Sequence, residues 1–199
     1  MYNSVELIPG TAHIQYILSP VECNRLVDEA LQWEKREAEI YTSKNEQGHK
    51  DHKTRKGSVY NCPTDQQVNQ WWKSKIDQAF IHYLRKYYQP AIDWGTLEVQ
   101  MVEYFDQGDK FGRHQDVHID INSYGKPTRK LSMSLELSSP SNYTGCQLKF
   151  FSPGGDVTAV EPGIGHATIF PSWQKHEVTP IKSGIRRALV VWYHGPFWS

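Results

Sequence analysis

Residues 1–90 contain two segments with helical periodicity and one with strand periodicity. Residues 12–18 (AHIQYIL) alternate well enough between apolar and polar positions to predict a short strand. The next segment, SPVECNRLVDEALQW, has apolar residues at three- and four-residue steps, which predicts a helix. Ser19 can cap this helix, Pro20 suits its first turn, and Glu22 completes a capping box.

The segment TDQQVNQWWKSKIDQAFIHYLRKYY, residues 64–88, has the strongest helical pattern in the chain. Thr64 and Gln67 form a second capping box, and Pro90 ends the helix. Between the two predicted helices, residues 42–58 are polar and aperiodic. We interpret them as a long loop, which is either a lid or binding loop over a site or a disordered connection.

The hydrophobic pattern changes after Pro90, where short apolar runs are separated by Gly, Pro, Asn and Asp. Helices upstream and strands downstream predict a mainly β fold with N-terminal helices (α+β), a double-stranded β-helix or jelly roll of about eight core strands backed by two helices. We expect one domain over 1–199, with a helical support region at 1–95 and the jelly-roll core at 96–194. The predicted strands lie near 97–105, 111–117, 129–138, 146–151, 156–161, 166–170, 175–180 and 185–193.

Composition and charge narrow the function classes. The chain has 22 basic and 22 acidic residues, and this balance argues against nucleic acid or an anionic membrane as a partner. Cys23, Cys62 and Cys146 are odd in number and lack metal-site spacing, so we expect reduced thiols. The segment MYNSVELIPG has no signal-peptide pattern, and no apolar run reaches membrane-spanning length. We therefore expect a cytoplasmic protein, of undetermined oligomeric state.

The stretch KFGRHQDVHID, residues 110–120, contains a His-x-Asp pattern twice: His114 with Asp116, and His118 with Asp120. Residues two apart on a strand face the same side, so either pair can offer an imidazole nitrogen and a carboxylate oxygen to one ion. A third ligand must come from another strand, and the candidates are His166, His176 and His194. Two histidines and one carboxylate form the facial triad of non-haem Fe(II) oxygenases, which leaves coordination positions open.

Arg186 follows His176 by ten residues and falls on the next predicted strand. Strand parity places Arg186, Ala188, Val190 and Trp192 on one face of that strand. An arginine in such a place can hold a carboxylate by two parallel hydrogen bonds. Metal ligands with an arginine one strand away suit a small dicarboxylate co-substrate.

From Ser19 to Trp192, with 42–58 unmatched, the chain resembles the Fe(II)/2-oxoglutarate-dependent dioxygenases, in particular their prolyl 4-hydroxylase-like branch. The first matching block, YFDQGDKFGRHQD, contains Tyr104, Gly108, Phe111, His114 and Asp116. The second block is RKLSMSLELSSPSNYTGCQLKF, beginning at Arg129. The third block contains Gly163, Phe170-Pro171-Ser172, His176, Val178, Pro180, Gly184, Arg186 and Trp192.

The resemblance selects one of the two His-x-Asp pairs and one of the three candidate histidines. It implies that Fe(II) is held by His114, Asp116 and His176, and it leaves His118 at a strand end or in the next loop, where it could line the substrate mouth. It also implies that Arg186 and Tyr104 bind 2-oxoglutarate. Two further residues flank the ligands and are weaker candidates for substrate contact, namely Arg113 and Trp173.

Two positions depart from the family pattern. Ala188 stands where the family often has a small hydroxyl residue that contacts the co-substrate carboxylate. This change would weaken co-substrate binding by about one neutral hydrogen bond, ~1 kcal/mol. Gly145-Cys146-Gln147-Leu148 replaces the frequent Gly-Gly-Glu-Leu and is expected to affect only a turn.

The activity implied by the resemblance is hydroxylation of a C–H bond, in the first place that of a peptidyl proline. The co-substrates would be 2-oxoglutarate and O2, the products would include succinate and CO2, and ascorbate would keep the iron reduced. The partner would then be a protein or peptide. An alternative is the same chemistry on a small molecule or free amino acid, and a further one is a non-catalytic jelly-roll binding module. A nucleic-acid demethylase ranks last because the formal net charge is zero.

Overall fold

The structure is a computed structural model that describes residues 2–42, 45–49, 51–63, 70–117 and 127–196. These residues form two α-helices and seventeen strands. The elements of the N-terminal half are β1 (Ser4–Ile8), β2 (Thr11–Ile14), α1 (Pro20–Ala30), β3 (Glu34–Glu37), β4 (Ile40–Thr42), β5 (Asn45–His49), β6 (Arg55–Lys56), β7 (Ser58–Asn61) and α2 (Lys73–Leu84). The elements of the C-terminal half are β8 (Asp93–Tyr104), β9 (Lys110–His114), β10 (Thr128–Glu136), β11 (Tyr143–Gly145), β12 (Leu148–Phe151), β13 (Val157–Ala159), β14 (Ala167–Pro171), β15 (His176–Val178), β16 (Ile181–Gly184) and β17 (Arg186–Gly195).

Helix α1 begins as the sequence predicts. The Ser19 hydroxyl accepts a hydrogen bond from the backbone N–H of Glu22 at 3.3 Å, and the Glu22 carboxylate accepts one from the N–H of Ser19 at 2.9 Å. Helix α2 begins at Lys73, and Trp72 precedes it without a side-chain cap. The predicted capping box at 64–67 lies outside the described residues.

Two sheets carry the C-terminal half. The larger sheet has eight strands in the order β1-β2-β14-β10-β17-β8-β7-β3, and the smaller has five in the order β13-β12-β15-β9-β6. All pairings within these two sheets are antiparallel. Within the described residues, neither helix has the length and apolar character needed to span a bilayer.

Side chains that alternate along the strands of the larger sheet pack into two different hydrophobic cores. One core lies between that sheet and the helices, and it contains Met133 of β10, Leu189 of β17 and Phe80 of α2. The other core lies between the two sheets, and it contains Ala188 of β17 together with Phe150 of β12. Because side chains alternate along a strand, β10 and β17 present one apolar face to the helices and a second face to the smaller sheet.

The mainly β fold with two helices is confirmed, and each of the eight strands predicted after Pro90 has a counterpart. The number of core strands is not confirmed, because the described residues after 93 also contain β11 and β16. The interpretation of 42–58 as a loop is wrong, since this segment contains β5 and β6 and the first residue of β7. Strand β6 pairs with β9, and β7 pairs with β8. Such strands are held to their neighbours by backbone hydrogen bonds. Their side chains can therefore be polar, and the sequence then shows no apolar alternation that would predict a strand.

Candidate metal centre

Three side chains from two neighbouring strands converge between the sheets. His114 ends β9, Asp116 follows two residues later, and His176 opens β15 directly opposite His114. The Nε2 atoms of His114 and His176 lie 3.4 Å and 3.7 Å from Oδ1 of Asp116. One ligand atom from each residue falls within 4.8 Å of the others. No other group of three His, Cys, Asp or Glu side chains converges in this way in the described part of the chain.

Backbone carbonyls fix the orientation of both imidazoles. Nδ1 of His114 lies 2.8 Å from the carbonyl oxygen of Gly112, and Nδ1 of His176 lies 2.9 Å from that of Gln174. A carbonyl oxygen can only accept, so each Nδ1 carries the hydrogen and each Nε2 presents its lone pair toward Asp116. Metal-binding histidines are oriented in the same way by a partner on the other ring nitrogen.

The electrostatics favour the protonation states that bind a cation. Burial alone would raise the pKa of Asp116, but His176 and His114 outweigh it and hold that pKa far below its usual range. Burial and, to a smaller extent, the neighbouring His114 lower the pKa of His176 to about 4, against the opposing effect of Asp116. At neutral pH the site therefore offers an ionised carboxylate and a neutral imidazole, as a metal site requires.

The donor set fits a divalent first-row metal such as Fe(II). Two imidazole nitrogens and one carboxylate are the ligands of non-haem iron sites. Aromatic rings support both histidines: Phe111 stacks on His114 with 3.4 Å between ring centroids, and Phe170 meets the His176 ring at 4.7 Å. The backbone N–H of Asp116 donates to the carbonyl of Ser172 at 2.8 Å, which anchors the third ligand.

A small cavity between the sheets adjoins the three ligands, and we call it the metal-side cavity. Its other lining residues include Arg55, Tyr104, Ser134, Arg186, Val190 and Trp192. The indole N–H of Trp192 is buried and has no hydrogen-bond partner among the described residues. Since buried donors are normally paired, a ligand with an oxygen acceptor would satisfy it. Burial raises the pKa of Tyr104 to about 12, so its hydroxyl keeps its proton and can donate.

Arg186 reaches the cavity because β16 and β17 are joined at Gly184. This glycine has φ +80°, and a Cβ atom there would lie 2.0 Å from the carbonyl oxygen of Asn142. The Arg186 side chain is buried, and both its Nε and its Nη2 lie 2.9 Å from Oε2 of Glu136. Sequence reasoning missed Glu136, although an acid on the inward face of a predicted strand is unusual enough to signal a buried partner.

A second, larger cavity of about 530 Å³ is also lined by Arg186, and we call it the far cavity. It is lined by residues that include Glu136, Tyr143, Cys146, His13, His166 and Arg186. His166 was a candidate ligand, but its Nδ1 lies 3.3 Å from Nε2 of His13 in this cavity. His194, the other candidate, contacts Glu98 at 3.3 Å. Neither histidine belongs to the convergent group.

The weaker candidates for substrate contact lie outside the cavity. Arg113 is exposed and its guanidinium stacks 3.8 Å from the ring of Phe151, so it is not brought to the ligands. Trp173 is 47% exposed, and its carbonyl accepts a hydrogen bond from the side chain of Gln115 beside Asp116. His118 lies outside the described residues, so its predicted position at the substrate mouth stays a prediction.

Arg55 was missed because it lies in the segment 42–58, which was interpreted as a loop and contains the charged run KDHKTRK at residues 50–56. Its guanidinium lies 4.3 Å from the centroid of the Phe111 ring, and Nη1 donates to the carbonyl of Glu39 at 2.8 Å. Pairing of Arg55 with Phe111 across β6 and β9 brings it to the metal-side cavity. The sequence offers only the mixed charge of the run, which does not distinguish one basic residue from the others.

Comparison with known proteins finds similarity to oxygenases. Residues 99–194 match the family model described as the 2OG-Fe(II) oxygenase superfamily. A PKHD-type hydroxylase from Shewanella sp. (strain ANA-3) is 34% identical over 88 residues, which are 44% of this chain and 39% of the relative. One from Synechococcus sp. (strain JA-2-3B'a(2-13)) is 29% identical over 120 residues, 59% of this chain and 53% of the relative. The chain thus spans about two fifths to one half of the length of these relatives.

Solved structures with the same fold cover almost the whole chain. A prolyl-4-hydroxylase from Pseudomonas putida superposes with a TM-score of 0.68 at 19% identity, covering 93% of this chain and 92% of the other. A prolyl hydroxylase from Trichoplax adhaerens, solved with a peptide fragment of the hypoxia inducible factor oxygen degradation domain, gives a TM-score of 0.63 at 17% identity, covering 92% and 83%. At these identities the likeness establishes the fold.

Proposed function

We propose, from the match of residues 99–194 to the family model of the 2OG-Fe(II) oxygenase superfamily, that the chain is an Fe(II)- and 2-oxoglutarate-dependent dioxygenase that hydroxylates a peptidyl proline. The observation that carries the proposal is the convergence of His114, Asp116 and His176 with both Nδ1 atoms bound to backbone carbonyls. Two imidazoles oriented by backbone carbonyls and one buried carboxylate suit a cation as their shared partner.

The three ligands would hold Fe(II), and the metal-side cavity would hold the co-substrate. Arg186 would bind the distal carboxylate of 2-oxoglutarate, and Tyr104 would donate its phenolic hydrogen to the same molecule. The unpaired indole N–H of Trp192 is a third donor suited to this cavity. Phe111, Phe150 and Phe170 surround the histidines and would exclude water from the reaction.

The chemistry divides between the bound groups and the protein. When bound, Fe(II) with 2-oxoglutarate and O2 supplies the oxidation that inserts one oxygen atom into a C–H bond and yields succinate and CO2. The chain orients the ligand nitrogens, keeps Asp116 ionised, positions the dicarboxylate and shields the site. Ascorbate is the reductant we propose for iron that becomes oxidised between turnovers.

The preference for a peptide rests on the surroundings of the site. Trp173 is 47% exposed and lies next to Ser172 in the chain, and the carbonyl of Ser172 accepts from the N–H of Asp116. An exposed aromatic ring is a natural contact for the flat face of a proline ring. The prolyl hydroxylases with the same fold, one of them solved with a peptide, support this choice of substrate class.

The test of the metal and co-substrate sites is an anaerobic titration with Fe(II) and 2-oxoglutarate, followed by visible absorption. Wild-type protein should develop the weak charge-transfer band of chelated keto acid, and His114→Ala should not. His82→Ala, a change on the helix side of the larger sheet, is the matched control and should keep the band. His118→Ala should keep it too, and equal loss in His114→Ala and His118→Ala would reject the assignment of the first pair.

The substrate class needs a separate experiment. A panel of proline-rich peptides and free amino acids is incubated with the loaded protein, and succinate release is measured together with the mass of each candidate substrate. The proposal expects a peptide that gains one oxygen atom in proportion to succinate. If a free amino acid or other small molecule gains oxygen while no peptide does, the peptidyl-proline proposal is wrong and the oxygenase chemistry stands.

A further inference from the structure

The buried side chain of Arg186 lines two cavities. Arg186 lines both the metal-side cavity and the far cavity, whereas Glu136 lines only the far cavity. Oε2 of Glu136 accepts a hydrogen bond from Nε of Arg186 and lies 2.9 Å from its Nη2. The distal carboxylate of a co-substrate would meet Arg186 from the metal side. Two carboxylates would then share one buried cation.

The charge balance changes when the co-substrate binds. Without it, the pair of Glu136 and Arg186 is neutral and both side chains are less than 10% exposed. A second carboxylate leaves one uncompensated negative charge in a region shielded from water, and a like charge favours the protonated form of its neighbour. Arg55 is a second cation in the metal-side cavity, but it lies at the Phe111 end, over that ring.

The phenol and the thiols near Glu136 are neutral and do not remove this charge. Burial raises the pKa values of Tyr143 and Cys146, to about 12 and about 11 respectively, so both stay neutral near pH 7. Cys23 of α1 also stays protonated, since burial raises its pKa to about 12. The remaining titratable groups line the far cavity around Glu136: His13, His166, Lys149 and Lys182.

We propose that Glu136 is part of the co-substrate site and takes up one proton from solvent when 2-oxoglutarate binds. The inference rests on the proposed function, because it takes Arg186 as the residue that binds the distal carboxylate. The neutral carboxyl group of Glu136 becomes a hydrogen-bond donor, and the guanidinium is freed to pair with the incoming carboxylate. Burial raises the pKa of Glu136 against the opposing effect of Arg186, which brings its protonation closer to neutral pH.

Coupled protonation has a quantitative signature. If binding takes up one proton, the dissociation constant of 2-oxoglutarate rises about tenfold for each pH unit above the pKa of Glu136 in the free protein. The co-substrate itself does not titrate in this range, since its carboxylates ionise at acidic pH. Glu136→Gln carries a permanent neutral side chain of the same shape, so its affinity should not depend on pH and should exceed that of wild type at alkaline pH.

The experiment is calorimetric titration of the Fe(II)-loaded protein with 2-oxoglutarate under anaerobic conditions, from about pH 6.5 to about pH 8.5. Repeating each titration in two buffers of different ionisation enthalpy counts the protons taken up. Wild type should take up about one proton, and Glu136→Gln none. The matched control is Glu103→Gln, which alters the acid paired at 2.6 Å with Arg187, the residue next to Arg186. This variant should keep the wild-type slope.

The outcomes separate the two proposals. Binding that is independent of pH in wild type, with no proton taken up, overturns the role of Glu136 while leaving the dioxygenase proposal intact. A wild-type slope that persists in Glu136→Gln assigns the proton to another group, such as His13 or His166, and also overturns it. Should Glu136→Gln not fold, His13→Ala and His166→Ala take its place: uptake of one proton by both variants supports Glu136, and loss of the uptake in either variant overturns its role. Failure of the iron-loaded wild type to bind 2-oxoglutarate at any pH overturns both proposals.

Discussion

The two faces of the larger sheet are built from the same strands and differ in almost every physical property. On the helix side, β10 and β17 present Leu131, Met133, Leu135, Leu189, Val191 and Tyr193, all fully buried. On the side of the smaller sheet, the same two strands present Ser132, Ser134, Glu136, Arg186, Val190 and Trp192. One face is a continuous apolar core, and the other combines apolar rings with charged and hydrogen-bonding groups.

This difference shows how one sheet divides stability and chemistry between its faces. Close packing against α1 and α2 stabilises the sheet through burial of apolar surface. The inner face can then tolerate a paired ion such as Arg186 with Glu136, whose desolvation is costly. Substitutions on the helix side should therefore change the free energy of unfolding, and those on the inner side should change ligand binding.

The largest effect is expected at the metal ligands. Asp116→Asn keeps the shape of the side chain but removes its negative charge, so Fe(II) affinity should fall about 100-fold or more, beyond the effect typical of residues that only orient a ligand. Metal binding is measured by anaerobic titration, and unfolding of the metal-free proteins is measured in denaturant. Asp106→Asn, the same change at an exposed acid in the turn after β8, is the control and should bind iron like wild type.

Substitutions at two neighbouring residues of β10, one on each face of the sheet, give the most direct comparison of how the two faces contribute to the free energy of unfolding. Met133→Ala should lower the free energy of unfolding by about 2–5 kcal/mol, because it leaves a cavity in the helix-side core. Ser134→Ala, on the inner face, should lower it by less than about 1 kcal/mol. Both are measured by chemical denaturation. Equal destabilisation by the two changes would contradict the division between the faces.

A smaller effect is expected at Trp192, whose ring lines the metal-side cavity. Trp192→Phe removes an N–H that has no partner among the described residues, so no hydrogen bond of the unliganded protein is lost. If this N–H donates to the co-substrate, 2-oxoglutarate binding should weaken by about 1 kcal/mol, or roughly fivefold. Titration of the Fe(II)-loaded variant measures this change. Unchanged affinity would remove Trp192 from the proposed site.

The smallest effect concerns an ion pair at the edge of the inner face. Burial would raise the pKa of Glu98, but the hydrogen bond from His194 and the charge of Arg129 outweigh it and lower this pKa to about 2. A carboxyl group whose pKa is lowered by folding stabilises the protein above its unfolded pKa, near 4.3, and loses that contribution as the pH falls toward 2. Because a third of the Glu98 side chain is exposed, we expect a loss of about 1 kcal/mol.

Glu98→Gln provides the test of that contribution. Its free energy of unfolding should lie below that of wild type at neutral pH, and the difference should shrink between about pH 4.5 and about pH 2. Urea denaturation at several pH values measures it. A difference between the two proteins that stays constant over this range would show that the ionised carboxylate contributes nothing specific.

Local patterns predicted much of the fold. The capping box of Ser19 and Glu22 forms as predicted, since it needs only residues three apart. The strand that carries Arg186 was located with the correct parity, because the period of two applies wherever one face is buried. The segment 42–58 could not be predicted, since its strands are recognised only through their pairing with β9 and β8.

The sequence by itself limited the metal site to two His-x-Asp pairs and three further histidines, and the resemblance to the dioxygenase family selected His114, Asp116 and His176 among them. Only the tertiary structure decided which groups surround them. Pairing of β6 with β9 brings Arg55 beside Phe111, and pairing of β10 with β17 brings Glu136 within 2.9 Å of Arg186. These contacts join residues at least 50 positions apart, and no local period records them, so they exist only after the sheets have assembled.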